Sequence, residues 1–206
     1  MGAADRGPDA FAEELDALKR RGCTILVVGP DAGMSRCESL LGDDERDRTR
    51  LVVGTHDCSS PDTGILVVRP GESDVRSATA ASTAGDAPSP GAADIDAVAS
   101  ELVDRIDRLD ADELEPGELR VCLGDLGVLA PEGSADPDAV LSAVIERILE
   151  ASGMGHAHLS DTSPLRARVE PLFAITIEVR PVPGGRQQRW LLHEAGLDSG
   201  WIPAGD

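Results

Sequence analysis

A glycine-containing segment after an apolar run is the first place where this sequence could carry chemistry. It reads GPDAGMS over residues 29–35. A phosphate-binding loop of the form G-x-x-x-x-G-K-[ST] turns its backbone amides toward the phosphates, while its lysine contacts the terminal phosphates and its hydroxyl holds magnesium. This segment is one residue short, and Met34 stands where the lysine belongs. Gly29, Gly33 and Ser35 are therefore predicted to be a vestigial nucleotide site, without catalytic residues or bound cofactor.

An acid at the end of another apolar run is the second component of such a site. The run VCLGD ends at Asp125, and an acid in this position holds magnesium or orients water beside a phosphate loop. Aspartate also ends many strands because it forms turns. Asp125 is therefore either a ligand for magnesium or water or a turn-forming residue, and we include it in the vestigial site. The alternative function that they leave is a nucleotide-binding ATPase or switch with an atypical loop, using ATP and magnesium.

Histidines and cysteines offer a possible metal site. His156 and His158 alternate and so share one face of a strand, where His56 or Cys58 could join them as ligands. Histidines packed in or near the core explain the same pattern, and no ligand spacing along the chain favours a metal, so none is predicted. Cysteines occur singly, without a CxxC pair, and are predicted to be reduced and mostly buried. They are Cys23, Cys37, Cys58 and Cys122.

Arginines concentrate near the end of the chain. Residues 163–193 hold only two acids, Glu170 and Glu178, in a protein that is otherwise acidic. The arginines of this segment are Arg166, Arg168, Arg180, Arg186 and Arg189. They predict contact with an acidic protein partner or with a second copy of the chain; the alternative is that they pair with acids on their own surface. Trp190 and Trp201 lie nearby and are either interface anchors or part of the hairpin packing.

The overall charge limits the classes of partner. The chain has 206 residues, with 38 acidic against 19 basic ones, and a formal net charge of -19. This field repels nucleic acids and anionic membranes. Lys19 is the only lysine and tyrosine is absent, which is typical of proteins that stay hydrated in concentrated salt. We expect a halophile cytoplasm, with ordinary acidic solubility as the alternative. The sequence shows neither a membrane-spanning run nor a signal peptide at its acidic N-terminus.

Hydrophobic periodicity predicts the elements that position these residues. Continuous apolar runs are typical of strands buried on both faces, whereas alternation on both sides of a Gly184-Gly185 turn predicts an antiparallel hairpin at a sheet edge. The result is a three-layer α/β domain with a mostly parallel central sheet, spanning 1–206, with a disordered insertion at about 72–93. Helices are predicted at about 9–21, 35–41, 94–109 and 136–149, and strands at 23–29, 51–56, 64–69, 119–125, 154–159, 174–180 and 188–193.

Several motifs in the second half carry a resemblance to a known family. They are the strand ending at Asp125, GMGHAHL (153–159), VEPLF (169–173), IEVR (177–180), QQRW (187–190) and SGWIP (199–203). With the loop at 29–35, the chain resembles an uncharacterised haloarchaeal family of RecA/KaiC-like proteins, some of them labelled HTR-like, from about Phe11 to Pro203. The resemblance implies a RecA-like, P-loop NTPase-like fold with a degenerate loop. It implies a non-catalytic regulatory or signalling protein that acts through protein contacts.

Overall fold

A computed structural model describes residues 8–30, 34–42, 48–53, 95–110, 114–129 and 136–204 of the chain. The predicted strand at 64–69, the predicted insertion at about 72–93 and the last residues of the strand predicted at 51–56 lie outside these ranges. The helices are α1 (Pro8–Arg21), α2 (Met34–Leu41), α3 (Ile95–Asp110), α4 (Leu126–Leu129), α5 (Pro137–Glu150) and α6 (Arg166–Val169), with a 3₁₀ turn at Glu170–Leu172. The strands are β1 (Cys23–Val28), β2 (Thr49–Val52), β3 (Leu119–Asp125), β4 (Met154–Leu159), β5 (Ile175–Val182), β6 (Gly185–Leu192), β7 (Leu197–Asp198) and β8 (Ile202–Pro203).

The described strands form one sheet, in the order β2-β3-β4-β1-β5-β6-β7, with β8 pairing with β6. The five strands from β2 to β5 are parallel to their neighbours, and β6 turns back on β5 as an antiparallel hairpin. All six residues of β1 are buried, because a central parallel strand has both of its faces covered. The predicted mostly parallel sheet with a C-terminal hairpin is confirmed.

Two helical layers cover the sheet on opposite sides. We call the side packed by α3 and α5 the first face, and the side packed by α1 and α2 the second face. Along β1, Leu26 and Val28 pack into the core of the first face, whereas Cys23, Ile25 and Val27 pack on the second. This alternation follows from the period of two in a strand. The three layers are therefore helices, sheet and helices.

A bulge interrupts the pairing of β3 with β4. Cys122 lies opposite His156, and the next register pair is Asp125 with His158, so β3 carries an additional residue between the two pairs. Gly124 lies in this interval with a φ of +66°, a backbone conformation that glycine adopts without steric cost. The bulge brings Asp125 into register with a histidine of β4.

Within the described ranges, no helix combines the length and the apolar character needed to cross a bilayer.

Candidate functional site

Gly29 follows β1 directly and is held between two neighbouring strands. Its backbone N–H donates a hydrogen bond to the carbonyl oxygen of Leu159 at the end of β4, with an N···O distance of 3.2 Å. On the other side, a Cβ atom at this position would lie 2.6 Å from the carbonyl oxygen of Val179 on β5. Such an approach is closer than real Cβ atoms tolerate. The close packing of the neighbouring strands therefore explains why this position holds a glycine.

The other residues of the predicted loop are placed only in part. Gly33 lies outside the described residues. Met34 is the first residue of α2, and Ser35 belongs to the first turn of the same helix. The helix N-terminus thus follows β1 at the place where a phosphate loop would end, with Met34 at its first position.

Asp125 ends β3 and takes part in a local turn. Its Oδ1 atom accepts a hydrogen bond from the backbone N–H of Gly127, with a distance of 2.8 Å. This contact holds the start of the short helix α4 and matches the turn-forming interpretation of the sequence. Asp125 and Gly29 lie at the same edge of the sheet, and β4 separates their strands. The structure thus brings these two predicted site residues to one edge without bringing them into contact.

A compact group of cysteine and histidine side chains lies on the second face, under α2. We call it the Cys/His cluster; its members are Cys37, Cys122, His156 and His158. One potential ligand atom from each residue lies within 4.8 Å of all the others. The largest exposed fraction among the four is 4%, at His158. The cluster is therefore buried within the core.

Three elements position this cluster. Cys122 on β3 and His156 on β4 are register partners, and the rings of His156 and His158 meet edge to face with centroids 5.1 Å apart. From α2, the Sγ atom of Cys37 lies 3.3 Å from Cys122 Sγ and 3.4 Å from His156 Nε2. The helix that follows the glycine loop thus supplies the side chain that completes the group.

Burial sets the protonation state of the cluster. The pKa of His156 is lowered well below the usual value of 6.5, first by burial and then by the charges of His158 and Arg120. Burial also raises the pKa of the Cys122 thiol to about 11, against the opposing effect of a hydrogen bond from the Gly124 backbone. Near pH 7 the cluster without a ligand therefore holds a neutral His156 imidazole and a protonated Cys122 thiol.

The cysteines differ in oxidation state. Cys23 and Cys122 are free, whereas Cys37 is disulfide-bonded. The prediction of reduced thiols is therefore wrong for Cys37. Single cysteines far apart in the chain give no indication of pairing, because pairing depends on the tertiary fold.

The cluster also differs from the metal site that we weighed from the sequence. His56 and Cys58 lie outside the described residues, while His156 and His158 meet Cys37 and Cys122 instead. One signal was available for Cys122: it lies in a predicted parallel strand, at the parity that faces away from Val121 and Leu123. Cys37 gave no comparable signal, since its position depends on how α2 packs.

Most of the C-terminal arginines contact other parts of this chain. Arg166 pairs with Glu170 at 3.1 Å and with Glu178 at 2.6 Å. Arg168 pairs with Asp138 of α5 at 3.0 Å. These contacts correspond to the second interpretation of the sequence, in which the arginines pair with surrounding acids.

The hairpin carries the remaining three arginines. Arg189 pairs with Asp198, whose pKa is lowered by the hydrogen bond that it accepts from the guanidinium. Arg180 stacks on Trp201, with its guanidinium carbon 3.8 Å from the ring centroid. Arg186 is exposed near the start of β6. The hairpin thus combines exposed cations with an aromatic ring.

Comparison with known proteins identifies the fold and the family of this chain. The solved structure of a KaiC-like protein from the hyperthermophilic archaeon Pyrococcus horikoshii OT3 matches with a TM-score of 0.50 and 13% sequence identity, over 90% of this chain and 84% of the other. The fold is accordingly KaiC/RecA-like. No sequence among the curated proteins matches. The profile of DUF7504, a family of unknown function, matches residues 22–179. This range extends from the start of β1 into β5 and includes the whole Cys/His cluster, and the chain therefore belongs to the DUF7504 family.

Proposed function

We propose that this chain is a non-catalytic member of the KaiC/RecA-like fold group that regulates or signals through protein contacts. The setting that we propose is the salt-rich cytoplasm of a halophilic archaeon, because the net charge of -19 and the single lysine suit a strongly hydrated surface. Fold alone carries no activity, so the proposal depends on the side chains and backbone groups at the edge of the sheet.

The position of Gly29 is the observation that carries the proposal. A phosphate loop needs backbone amides that point at the ligand and space for phosphate oxygens beside them. The amide of Gly29 instead donates to Leu159, and the Val179 carbonyl oxygen lies 2.6 Å from the position of a Cβ atom. This carbonyl oxygen carries a partial negative charge, which disfavours an anion beside Gly29. The first residue of the loop is thus committed to strand packing.

Two further residues favour the same interpretation. Met34 opens α2 in place of a lysine and supplies no positive charge for terminal phosphates. The Asp125 carboxylate is engaged by the Gly127 amide at 2.8 Å, which leaves it a structural role at the start of α4. We therefore propose that Gly29, Gly33, Ser35 and Asp125 are the remnant of a nucleotide site that does not bind nucleotide.

The hairpin end of the sheet is the contact surface that we propose. Ile202 on β8 is 40% exposed, and it lies next to Trp201, on which Arg180 stacks. Tryptophan and arginine are enriched among the residues that dominate binding energy at protein interfaces. Exposed Arg186 lies on the strand that pairs with β8. An acidic protein or a second copy of the chain is the partner that this surface suits.

Calorimetric titration with ATP in molar potassium chloride, with and without magnesium, tests the proposal. We expect no binding heat up to millimolar ATP. The variant Met34→Lys is a sharp comparison, because it restores the missing lysine while the loop stays short and Gly29 stays packed, so we expect it to bind no ATP either.

The alternative function is a nucleotide-binding ATPase or switch with an atypical loop, and the KaiC/RecA-like fold is what favours it. Micromolar ATP affinity of the unmodified chain would overturn our proposal in its favour. If only the Met34→Lys variant bound ATP, the backbone cradle would be intact, and the packing of Gly29 would not be what prevents binding.

A further inference from the structure

We propose that Cys37, Cys122, His156 and His158 form a closed tetrahedral zinc site between α2 and the sheet. The proposal is independent of the function proposed above, because it concerns the interior of the second face and not the edge of the sheet. It assigns the Cys/His cluster a ligand of a definite class, a divalent metal that prefers sulfur and nitrogen.

The spacing of the ligand atoms fits this metal. Zinc holds thiolate sulfur at about 2.3 Å and imidazole nitrogen at about 2.0–2.1 Å, so the ligand atoms of a tetrahedral site lie roughly 3.3–3.8 Å apart. The distances from Cys37 Sγ to Cys122 Sγ and to His156 Nε2 are 3.3 and 3.4 Å. All four ligand atoms lie within 4.8 Å of one another. Small side-chain movements would bring the four atoms around one ion.

Charge and burial favour the same conclusion. Two thiolates neutralise the two positive charges of zinc, so the loaded site carries no net charge into the core. None of the four residues exceeds 4% exposure, so an ion that they held would lie out of contact with solvent. A set of two sulfur and two nitrogen ligands is typical of tetrahedral zinc.

The origin of the ligands indicates a structural site. α2 supplies Cys37, β3 supplies Cys122, and β4 supplies both histidines. Four protein ligands leave no position for water or substrate, which distinguishes structural zinc sites from catalytic ones. Bound zinc would therefore tie α2, the helix after the glycine loop, to two strands of the sheet.

The reduced form of Cys37 is the one that binds metal. Cys37 is disulfide-bonded in this structure, and a metal ligand must be a free thiolate. Reduction breaks the S–S bond, takes two electrons and two protons, and yields two thiols. A phosphine supplies the electrons and becomes its oxide with the oxygen of water, whose hydrogens become the thiol protons. Zinc then displaces the protons of Cys37 and Cys122, which are released to the buffer.

The first experiment measures zinc on the full-length wild-type chain. The protein is reduced with a phosphine, stripped with a chelator and re-equilibrated with zinc in buffered potassium chloride, and its zinc content is measured by atomic emission. We expect about one zinc per chain and a higher Tm than the stripped protein. We expect none on chains oxidised beforehand. A zinc content near zero in the reduced protein would overturn the proposal, as would equal binding by oxidised protein.

Matched variants test which residues are the ligands. Cys122→Ser removes a proposed ligand, and Cys23→Ser is its control, because Cys23 is also buried and free but lies outside the cluster. For the histidines, His156→Gln is compared with His193→Gln. Loss of an outer-shell partner already weakens metal binding by about 10- to 100-fold, so we expect more than about 100-fold weaker zinc binding from Cys122→Ser and His156→Gln. The two controls should retain wild-type affinity.

Cobalt substitution keeps the test valid if a ligand variant fails to fold. In the wild-type chain, a tetrahedral site with two thiolates gives intense visible bands and sulfur-to-cobalt charge transfer. Bands typical of an octahedral ion would overturn the proposed geometry. Cys58→Ser should also retain zinc and cobalt binding, since Cys58 is not in the ligand set. Loss of metal in that variant, or equal loss in Cys23→Ser and Cys122→Ser, would show that the ligand set is wrong.

Discussion

The two faces of the sheet are built from different chemistry. On the first face, the side chains of α3 and α5 join those of the sheet in a mainly apolar core, where the buried polar side chains on β1 and β5 are the hydroxyls of Thr24 and Thr176. The second face is divided. Its half under α1 is apolar, whereas its half under α2 holds the Cys/His cluster, with the Arg50 guanidinium bonded to the Gly42 carbonyl oxygen after α2.

The first face therefore stabilises the fold, whereas the polar half of the second face offers side chains that can bind a ligand. Burial of aliphatic surface contributes about 25 cal/mol per Å², so the first face supplies a large share of the folding free energy. Buried cysteine and histidine contribute less and cost free energy unless their polar atoms are satisfied. Side chains that can bind a ligand thus lie on the half of the second face under α2. We expect substitutions on the two faces to change the free energy of unfolding by different amounts.

The largest effect is expected on the first face. Ile148 of α5 is fully buried, and its replacement by alanine leaves a cavity. Ile148→Ala should lower the free energy of unfolding by about 2–5 kcal/mol, measured by denaturant titration at fixed potassium chloride concentration. Leu149→Ala, one residue later and 38% exposed in the parent chain, is the control and should cost less than about 1 kcal/mol. Equal losses would contradict the assignment of the first face as the stabilising one.

An intermediate effect is expected at alkaline pH, from the apolar half of the second face. Burial raises the pKa of Cys23 from 9.0 to about 11, against the opposing charges of Arg120, Lys19 and Arg21. The unfolded chain loses this proton near pH 9, while the folded chain keeps it until about pH 11. The stabilisation is thus complete below pH 9 and is lost as the pH rises toward 11. Each pKa unit corresponds to about 1.4 kcal/mol, so the full shift corresponds to about 3 kcal/mol, of which about 2 kcal/mol is lost between pH 9 and 11.

The composition of the chain leaves few other groups that titrate between pH 9 and 11. Tyrosine is absent and there is one lysine. Cys122, whose pKa is also raised to about 11, contributes a similar slope. Cys23→Val should therefore reduce the loss of stability between pH 9 and 11 by about half, in denaturant titrations at each pH. An unchanged slope in the variant would show that Cys23 ionises equally in both states.

The smallest effect is expected in the polar half of the second face, in reduced and metal-free protein. Replacement of both partners of a buried polar contact by apolar groups of similar shape is close to neutral. His156 Nε2 contacts Cys37 Sγ, so the double variant His156→Leu with Cys37→Ala should change the free energy of unfolding by less than about 1 kcal/mol, in contrast to Ile148→Ala. A loss as large as that of Ile148→Ala would mean that the cluster stabilises the fold without metal and that the two faces are alike.

Local sequence patterns were sufficient for most of the fold. The apolar run of β1, the amphipathic stripe of α5 and the alternation in β5 each predict an element, because they depend only on the period of side chains along one segment. The Cys/His cluster was not predictable in this way. Cys37, Cys122 and His156 meet only because β3 pairs with β4 and because α2 packs over both strands. Likewise, the contact of Gly29 with Val179 depends on the parallel pairing of β1 with β5, which no local pattern specifies.

The bulge in β3 changes which face of the sheet each of the following side chains reaches. Without it, alternation would assign Asp125 to the same side as Val121 and Leu123, which are buried in the apolar core of the first face. The additional residue moves the carboxylate into register with His158 and lets Leu126, which is fully buried, enter that core instead. Deletion of Gly124 would therefore leave this arrangement in place, because Asp125 would then follow Leu123 directly and lie opposite His158 by plain alternation.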